Sequence, residues 1–208
     1  MMVRTLARTL AMAALAFAVS TAAARAADPR YPDWPCSQAK VPEISLAAVW
    51  AGPALDDAGS KWKDDSKVSA LVSKLAARKT SLDEAEQSVK EFLSGAAADK
   101  TANAKLLFAG LFDTLNAQRS QVMGGLERVS RKQREAADKI REETIQLQAL
   151  QDATPRDDTK VDAMSNQLIW ETRIFEDRRK VVRFVCEVPT TIDQRLFALG
   201  RVIQQEME

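Results

Sequence analysis

The chain has 208 residues, with 30 lysines and arginines, 29 aspartates and glutamates, and no histidine. Its 46% hydrophobic and 28% charged residues are typical of a folded protein, and the balanced charge argues against a dedicated nucleic-acid binder. Without histidine there is no Ser-His-Asp triad, no Cys-His pair and no His-ligated metal or haem, and the two cysteines are too few for a Cys-only zinc site. We therefore expect no catalytic residues, no metal site and no cofactor.

Residues 1–26 have the pattern of a secretory signal peptide. Arg4 and Arg8 give a basic start, an alanine-rich apolar stretch follows, and Ala24-Arg25-Ala26 fits the cleavage pattern. The apolar stretch is short for a membrane span, which needs ~20 strongly apolar residues. We expect export to a bacterial periplasm, cleavage before Ala27, and no transmembrane segment afterwards. The mature chain would carry 27 basic and 29 acidic residues.

Residues 27–63 form an irregular segment rich in proline and tryptophan, with one short helix expected from Pro42 to Trp50. An oxidising compartment favours a disulfide between Cys36 and Cys186, the only two cysteines of the chain. This bond would tie the irregular segment to the helical part of the chain.

Residues 64–208 have the spacing of helices, so the predicted fold class is all-α. Ser81 and Glu84 form a capping box, while Thr154 is expected to cap a helix that has Pro155 in its first turn. Pro189 is expected to break that helix. The predicted helices cover about 66–79, 82–94, 99–152, 155–187 and 191–206.

Apolar stripes in the two longest helices predict an antiparallel coiled-coil hairpin at about 126–185, projecting from a helical bundle. Residues whose numbers sum to 311 pair in eight layers, from Leu150 with Val161 to Leu126 with Val185. Gln133 would face Arg178 in a polar layer. The pair Gly124-Gly125 lies level with Cys186 in this register. These glycines either let the N-terminal segment lie close or mark a local helix break.

One end of the predicted hairpin is basic and its tip is acidic. The basic end is a candidate interaction surface for a protein or an anionic envelope component, and a polarised rod could also form a head-to-tail homodimer. Export and the negative mature charge argue against nucleic acid. A solvated charged face is the commoner meaning of such a run. The residues of the basic end are Arg128, Arg131, Lys132, Arg134, Arg178, Arg179, Lys180 and Arg183.

Aromatic residues provide a second candidate site at the bundle end. Trp34, Trp50, Phe108 and Phe112 could line a pocket for a small apolar ligand. They could equally be ordinary core, because the expected disulfide draws the N-terminal segment onto the bundle.

The sequence favours an exported, non-catalytic helical protein that acts through protein–protein or envelope-surface contacts, as an adaptor, a scaffold or a chaperone. The alternative is a periplasmic binding module that holds a small apolar ligand in the bundle end. The hairpin and its polarised charge favour the first function, whereas a cavity near Phe108 and the tryptophans would favour the second.

Overall fold

The computed structural model describes residues 28–95 and 99–208, so the predicted signal peptide lies outside the described residues. Within these ranges the regular elements are all helices, which confirms the all-α fold class. We number the helices in chain order. They are α1 (Leu46–Val49), α2 (Ala58–Lys61), α3 (Ser66–Ala76), α4 (Leu82–Ser94), α5 (Lys100–Asp152), α6 (Asp158–Val185) and α7 (Val188–Gln205).

The bundle core surrounds the first third of α5. This part of α5 is apolar on nearly all sides, and α2, α3, α4 and α7 cover it. Phe108 is fully buried, and Trp50 from the irregular segment stacks on its ring. Completely buried aliphatic side chains from α3, α4 and α7 complete the core, among them Val68, Leu75, Val89, Leu93, Leu196, Leu199 and Ile203.

Local capping sets the ends of the bundle helices. The Asp65 side chain accepts hydrogen bonds from the backbone N–H groups of Lys67 and Val68, which starts α3 at Ser66. The Ser81 side chain accepts from the N–H of Glu84, so α4 has the predicted bounds. α3 ends three residues earlier than predicted, because the backbone at Ala77 is extended.

The irregular segment is more extended than the sequence predicts. The helix expected from Pro42 to Trp50 is wrong in its length, since α1 has a single turn from Leu46 to Val49. Pro42 lies outside it, and its carbonyl oxygen accepts a hydrogen bond from Arg119 on α5. A second short helix, α2, was not predicted.

α5 and α6 form the predicted antiparallel hairpin. Gln167 Nε2 donates to Glu143 Oε1 at 2.9 Å, and Lys139 Nζ pairs with Glu171 Oε1 at 2.7 Å. The numbers of each pair sum to 310, within one residue of the predicted register. The hydrogen bond with Glu171 raises the pKa of Lys139, and the same bond lowers the pKa of Glu171.

Both predicted helix starts near proline are wrong. α6 begins at Asp158 because the Asp157 side chain, not Thr154, accepts from a first-turn N–H, that of Lys160. Pro155 lies in the turn before the helix. Pro189 lies in the first turn of α7, where its missing N–H costs no hydrogen bond, so α7 begins at Val188. Only Cys186 and Glu187 separate α6 from α7.

The replacement Gly200→Ala is expected to lower the free energy of unfolding by about 1–3 kcal/mol, as overpacking does in a tight core. A Cβ at Gly200 would lie 2.8 Å from Phe108 Cε2 and 2.9 Å from the Val49 carbonyl oxygen. Urea denaturation measures the loss. Gly59→Ala is the matched control, because a Cβ there meets nothing within 4 Å. Equal midpoints for the two variants would contradict the close packing of α7 on α1.

Candidate interaction surface at the hairpin base

A disulfide fastens the irregular segment to the hairpin base. Cys36 and Cys186 are bonded, with their Cα atoms 5.6 Å apart, which confirms the predicted pair. Gln38 Nε2 donates to the carbonyl oxygen of Cys186, and Trp34 Nε1 donates to the carbonyl oxygen of Gln38 at 2.7 Å. The bond therefore joins the segment to the chain where α6 turns into α7.

Ion pairs extend this attachment along α5. Asp33 accepts from Arg131 Nη1 at 2.6 Å and also from Arg134. Hydrogen bonds from these two arginines lower the pKa of Asp33. Lys40 Nζ pairs with Glu127 Oε1 at 2.5 Å. Two of the eight predicted basic residues therefore hold the protein's own N-terminal segment.

The other six basic residues differ in their partners. Arg179 pairs with Glu176 at 3.4 Å and Lys180 pairs with Asp177 at 3.1 Å, each on the exposed surface of α6. Such exposed pairs contribute little to stability. In residues 28–95 and 99–208, four of the eight make no salt bridge or side-chain hydrogen bond: Arg128, Lys132, Arg178 and Arg183.

An apolar groove of about 760 Å³ runs between α5 and α6 at the hairpin base. Pro35 and Arg134 line a separate hollow on the opposite side of the hairpin seam, next to the irregular segment. Unpaired Lys132 and Arg178 stand at the groove, together with Asp177 and Gln133. The rest of its lining is Val122, Gly125, Leu126, Val129, Ile174, Val181, Val182 and Val185.

The predicted polar layer is arranged differently from the expectation. Gln133 Nε2 donates to the carbonyl oxygen of Phe175 at 3.0 Å, and Arg178 is exposed at the groove. The Oε1 atom of Gln133 is buried and has no hydrogen-bond partner in the described part of the chain. Buried acceptors are nearly always satisfied in folded proteins. The Gln133 side chain is therefore only partly satisfied within the hairpin.

Both explanations of the glycine pair fail. α5 continues through Gly124 and Gly125 without a break. A Cβ would meet only the side chain of Arg128, at 3.4 Å from Gly124 and 3.8 Å from Gly125. The N-terminal segment therefore does not require glycine at either position.

An exposed apolar stripe of α6 contains Trp170, Ile174, Val181 and Phe184, and two of these, Ile174 and Val181, also line the groove. Ile169 is exposed too, but it lies about 140° around the helix from Ile174. Sequence reasoning missed Trp170, Val181 and Phe184. The exposed fractions are 66% for Ile169, 63% for Trp170, 44% for Ile174, 58% for Val181 and 78% for Phe184. The steps of four, seven and three between Trp170, Ile174, Val181 and Phe184 are the signal that could have found them.

The four aromatic residues of the predicted ligand pocket are not brought together. The rings of Trp50 and Phe108 are stacked, with centroids 4.2 Å apart, and Phe112 lies 6.2 Å from Phe108. Phe108 therefore packs on both of the other rings within the bundle. Trp34 lies instead beside the disulfide through its bond to Gln38.

None of the helices in the described ranges has the length and apolar character needed to cross a membrane. The same residues contain no group of three or more cysteine or carboxylate side chains placed to hold a metal ion. Comparison of the chain with protein-family models, with curated proteins and with solved structures finds no match.

Proposed function

We propose that this chain is an exported, non-catalytic interaction protein that works in the periplasm as an adaptor, scaffold or chaperone. Its hairpin base binds an amphipathic segment of a partner protein, with acidic residues flanking the apolar ones. The observation that carries the proposal is the open apolar groove between α5 and α6, bordered by basic side chains that have no partner within the described chain.

The groove lining specifies the middle of the bound segment. Valine, leucine and isoleucine side chains make up most of the surface, so an occupant contributes apolar side chains there. Amphipathic helices bind such grooves through apolar residues spaced three and four apart. The exposed stripe of α6 continues the apolar surface beyond the groove towards Phe184 and Trp170.

The charges specify the flanks of that segment. Lys132 and Arg178 border the groove, and Arg128 is exposed one turn of α5 before Lys132. Asp177 is already paired with Lys180, so it does not neutralise them. An acidic flank would complement this local positive charge, whereas a basic flank would be repelled.

The signal-peptide pattern and the disulfide support export. A structural disulfide persists in oxidising compartments and is rare in a reducing cytosol. Cys36 and Cys186 are the only cysteines, and they form this bond.

The replacement Val181→Asp is expected to weaken binding of an acidic amphipathic peptide at least tenfold, because it places a like charge inside the groove. The probe is a labelled helical peptide with leucines on one face and glutamates on its flanks, and fluorescence anisotropy measures its affinity. Ile145→Asp is the matched control. Ile145 is similarly exposed, at 63%, but lies on α5 towards the tip.

A second peptide with lysine flanks tests the charge argument and is expected to bind at least tenfold more weakly than the glutamate form. Equal binding of the two peptides, or unchanged binding by Val181→Asp, would overturn the proposed groove partner. Self-association that Val181→Asp abolishes, measured by sedimentation velocity, would also overturn it and assign the groove to a second copy.

A further inference from the structure

A second, smaller cavity lies on the bundle, away from the hairpin groove, and we propose that it binds a small organic carboxylate. Its volume is about 230 Å³. It lies among the end of α3, the end of the first third of α5 and the first two turns of α7. Its polar lining includes Arg78, Gln118 and Arg195, and its apolar lining includes Leu115, Val188 and Ile192.

The cavity concentrates positive charge without a counter-charge. Two guanidinium groups line it, and no carboxylate of the described residues does. Arg78 makes no salt bridge or side-chain hydrogen bond within residues 28–95 and 99–208. The nearby carboxylate of Asp193 is engaged by Arg119 at 2.7 Å. An anion in the cavity would supply the missing negative charge.

The guanidinium group of Arg195 is fixed by one hydrogen bond and has another N–H donor without an acceptor among the described residues. Its Nε atom donates to the carbonyl oxygen of Leu75 at 2.7 Å, which fixes the guanidinium group against the end of α3. Its Nη2 atom is buried and has no acceptor in the described part of the chain. Burial lowers the pKa of Arg195, and no neighbouring acid opposes that effect. Buried donors without an acceptor are rare in folded proteins, and the side chain that carries this one lines the cavity.

The N-terminal end of α7 adds a positive electrostatic potential, which favours an anion in the cavity. Val188 and Thr191 line the cavity from the first turn of this 18-residue helix, where the helix dipole is positive. The Thr191 hydroxyl donates to the Glu187 carbonyl oxygen, so it is not a donor for the ligand. The donors that remain are Arg78, Gln118 and Arg195, and arginine suits the two oxygens of a carboxylate.

The size and the apolar walls define the rest of the ligand. A cavity of 230 Å³ is below the ~300 Å³ at which ordinary small-molecule sites begin, so the ligand is no larger than a single small ring or a short chain. Leu115, Val188 and Ile192 would contact those carbons. A fully hydrated anion such as phosphate would leave these walls without apolar contact.

Isothermal titration calorimetry of the oxidised chain, at constant ionic strength, tests the site with acetate, butyrate and benzoate as probes. We expect saturable binding of at least one of them. Arg78→Met is expected to weaken that binding roughly tenfold to a hundredfold, as the loss of a charged hydrogen bond does. Lys79→Met is the matched control, because it removes the adjacent exposed charge and is expected to bind like the unmodified chain.

Three further results decide the proposal. Binding of 1-butanol as tight as that of butyrate would overturn the role of the charge. Saturable binding of inorganic phosphate with no binding of the three carboxylates would overturn the ligand class. Unchanged carboxylate binding by Arg78→Met would overturn the position of the site. Arg78 is the decisive residue, since Arg195 also supports Leu75 and its loss would alter folding as well.

Discussion

Replacing Arg119 with methionine is expected to lower the free energy of unfolding by about 3 kcal/mol, because it removes several hydrogen bonds made by one buried, charged guanidinium group. Arg119 is only 4% exposed. Its Nε donates to Asp193 on α7 at 2.7 Å, and its Nη1 donates to the Val41 carbonyl oxygen at 2.6 Å. One side chain thus joins α5, α7 and the irregular segment. Urea denaturation of the oxidised protein measures the loss.

Two variants control this result. Asp193→Asn keeps an oxygen that can accept from Arg119, so it is expected to lose less stability than Arg119→Met. Arg119→Lys keeps the charge but not the guanidinium fork, and it is expected to fall between the other two. Similar losses for all three variants would contradict the assignment of several simultaneous hydrogen bonds to Arg119.

The deficit of Arg119→Met is also expected to depend on pH. Burial raises the pKa of Asp193 above 3.8, and Arg119 partly opposes that effect. Without Arg119 the pKa rises further, so the folded variant binds a proton where the unfolded chain does not. The stability that this bound proton gives to the folded variant is therefore present at low pH. It is lost as the pH rises through the pKa of Asp193 in the folded state. The deficit should shrink as the pH falls towards 3.8.

Cys36→Ser is expected to lower the free energy of unfolding by about 2–5 kcal/mol, towards the upper end because the bond closes a long loop. The two cysteines are 150 positions apart. Without the bond, the unfolded chain gains conformational freedom, and the irregular segment is held only by contacts such as those of Asp33 and Lys40. Urea denaturation with and without reductant measures the loss.

The double variant Cys36→Ser/Cys186→Ser is the control for this second result. It should match Cys36→Ser in stability, and reductant should not affect it. The fluorescence difference between the protein and its Trp34→Phe variant reports the segment itself, because the Trp34 indole lies beside the bond. A reduced protein with an unchanged urea midpoint would show that the segment is held mainly by its other contacts.

The hairpin could be predicted because each of its two helices carries a local apolar repeat, and the two repeats must agree in register. Each long helix repeats its apolar residues in steps of three and four, and the two patterns share one register from Leu126 to Leu150. The helix starts near Pro155 and Pro189 could not be assigned in the same way. A proline can end one helix or occupy the first turn of the next. The position of the helix start therefore depends on which neighbouring side chain supplies the cap.

The candidate surface was only partly predictable. The charges of the basic end are evident in the sequence, but their partners are not. Asp33 contacts Arg131 and Arg134 across 98 and 101 positions, and only the folded chain brings them together. The groove depends on how far apart α5 and α6 lie beside Gly125, which periodicity does not determine. Arg119 likewise follows Leu115 by four residues in the apolar repeat of α5, and the sequence does not show that Val41 and Asp193 surround it.

Gly124 and Gly125 lie where α5 leaves the bundle and continues as one helix of the hairpin. We call this projecting part of α5 the arm. Glycine lowers helix stability by about 1 kcal/mol per residue relative to alanine, so bending is easiest there. The arm from Gly125 to Asp152 is about 40 Å long, and a bend of about 10° would displace the tip by about 7 Å. The Cys36–Cys186 bond and the Lys40–Glu127 pair brace this point from outside. Reduction of the Cys36–Cys186 bond would remove one of these two braces and leave the Lys40–Glu127 pair.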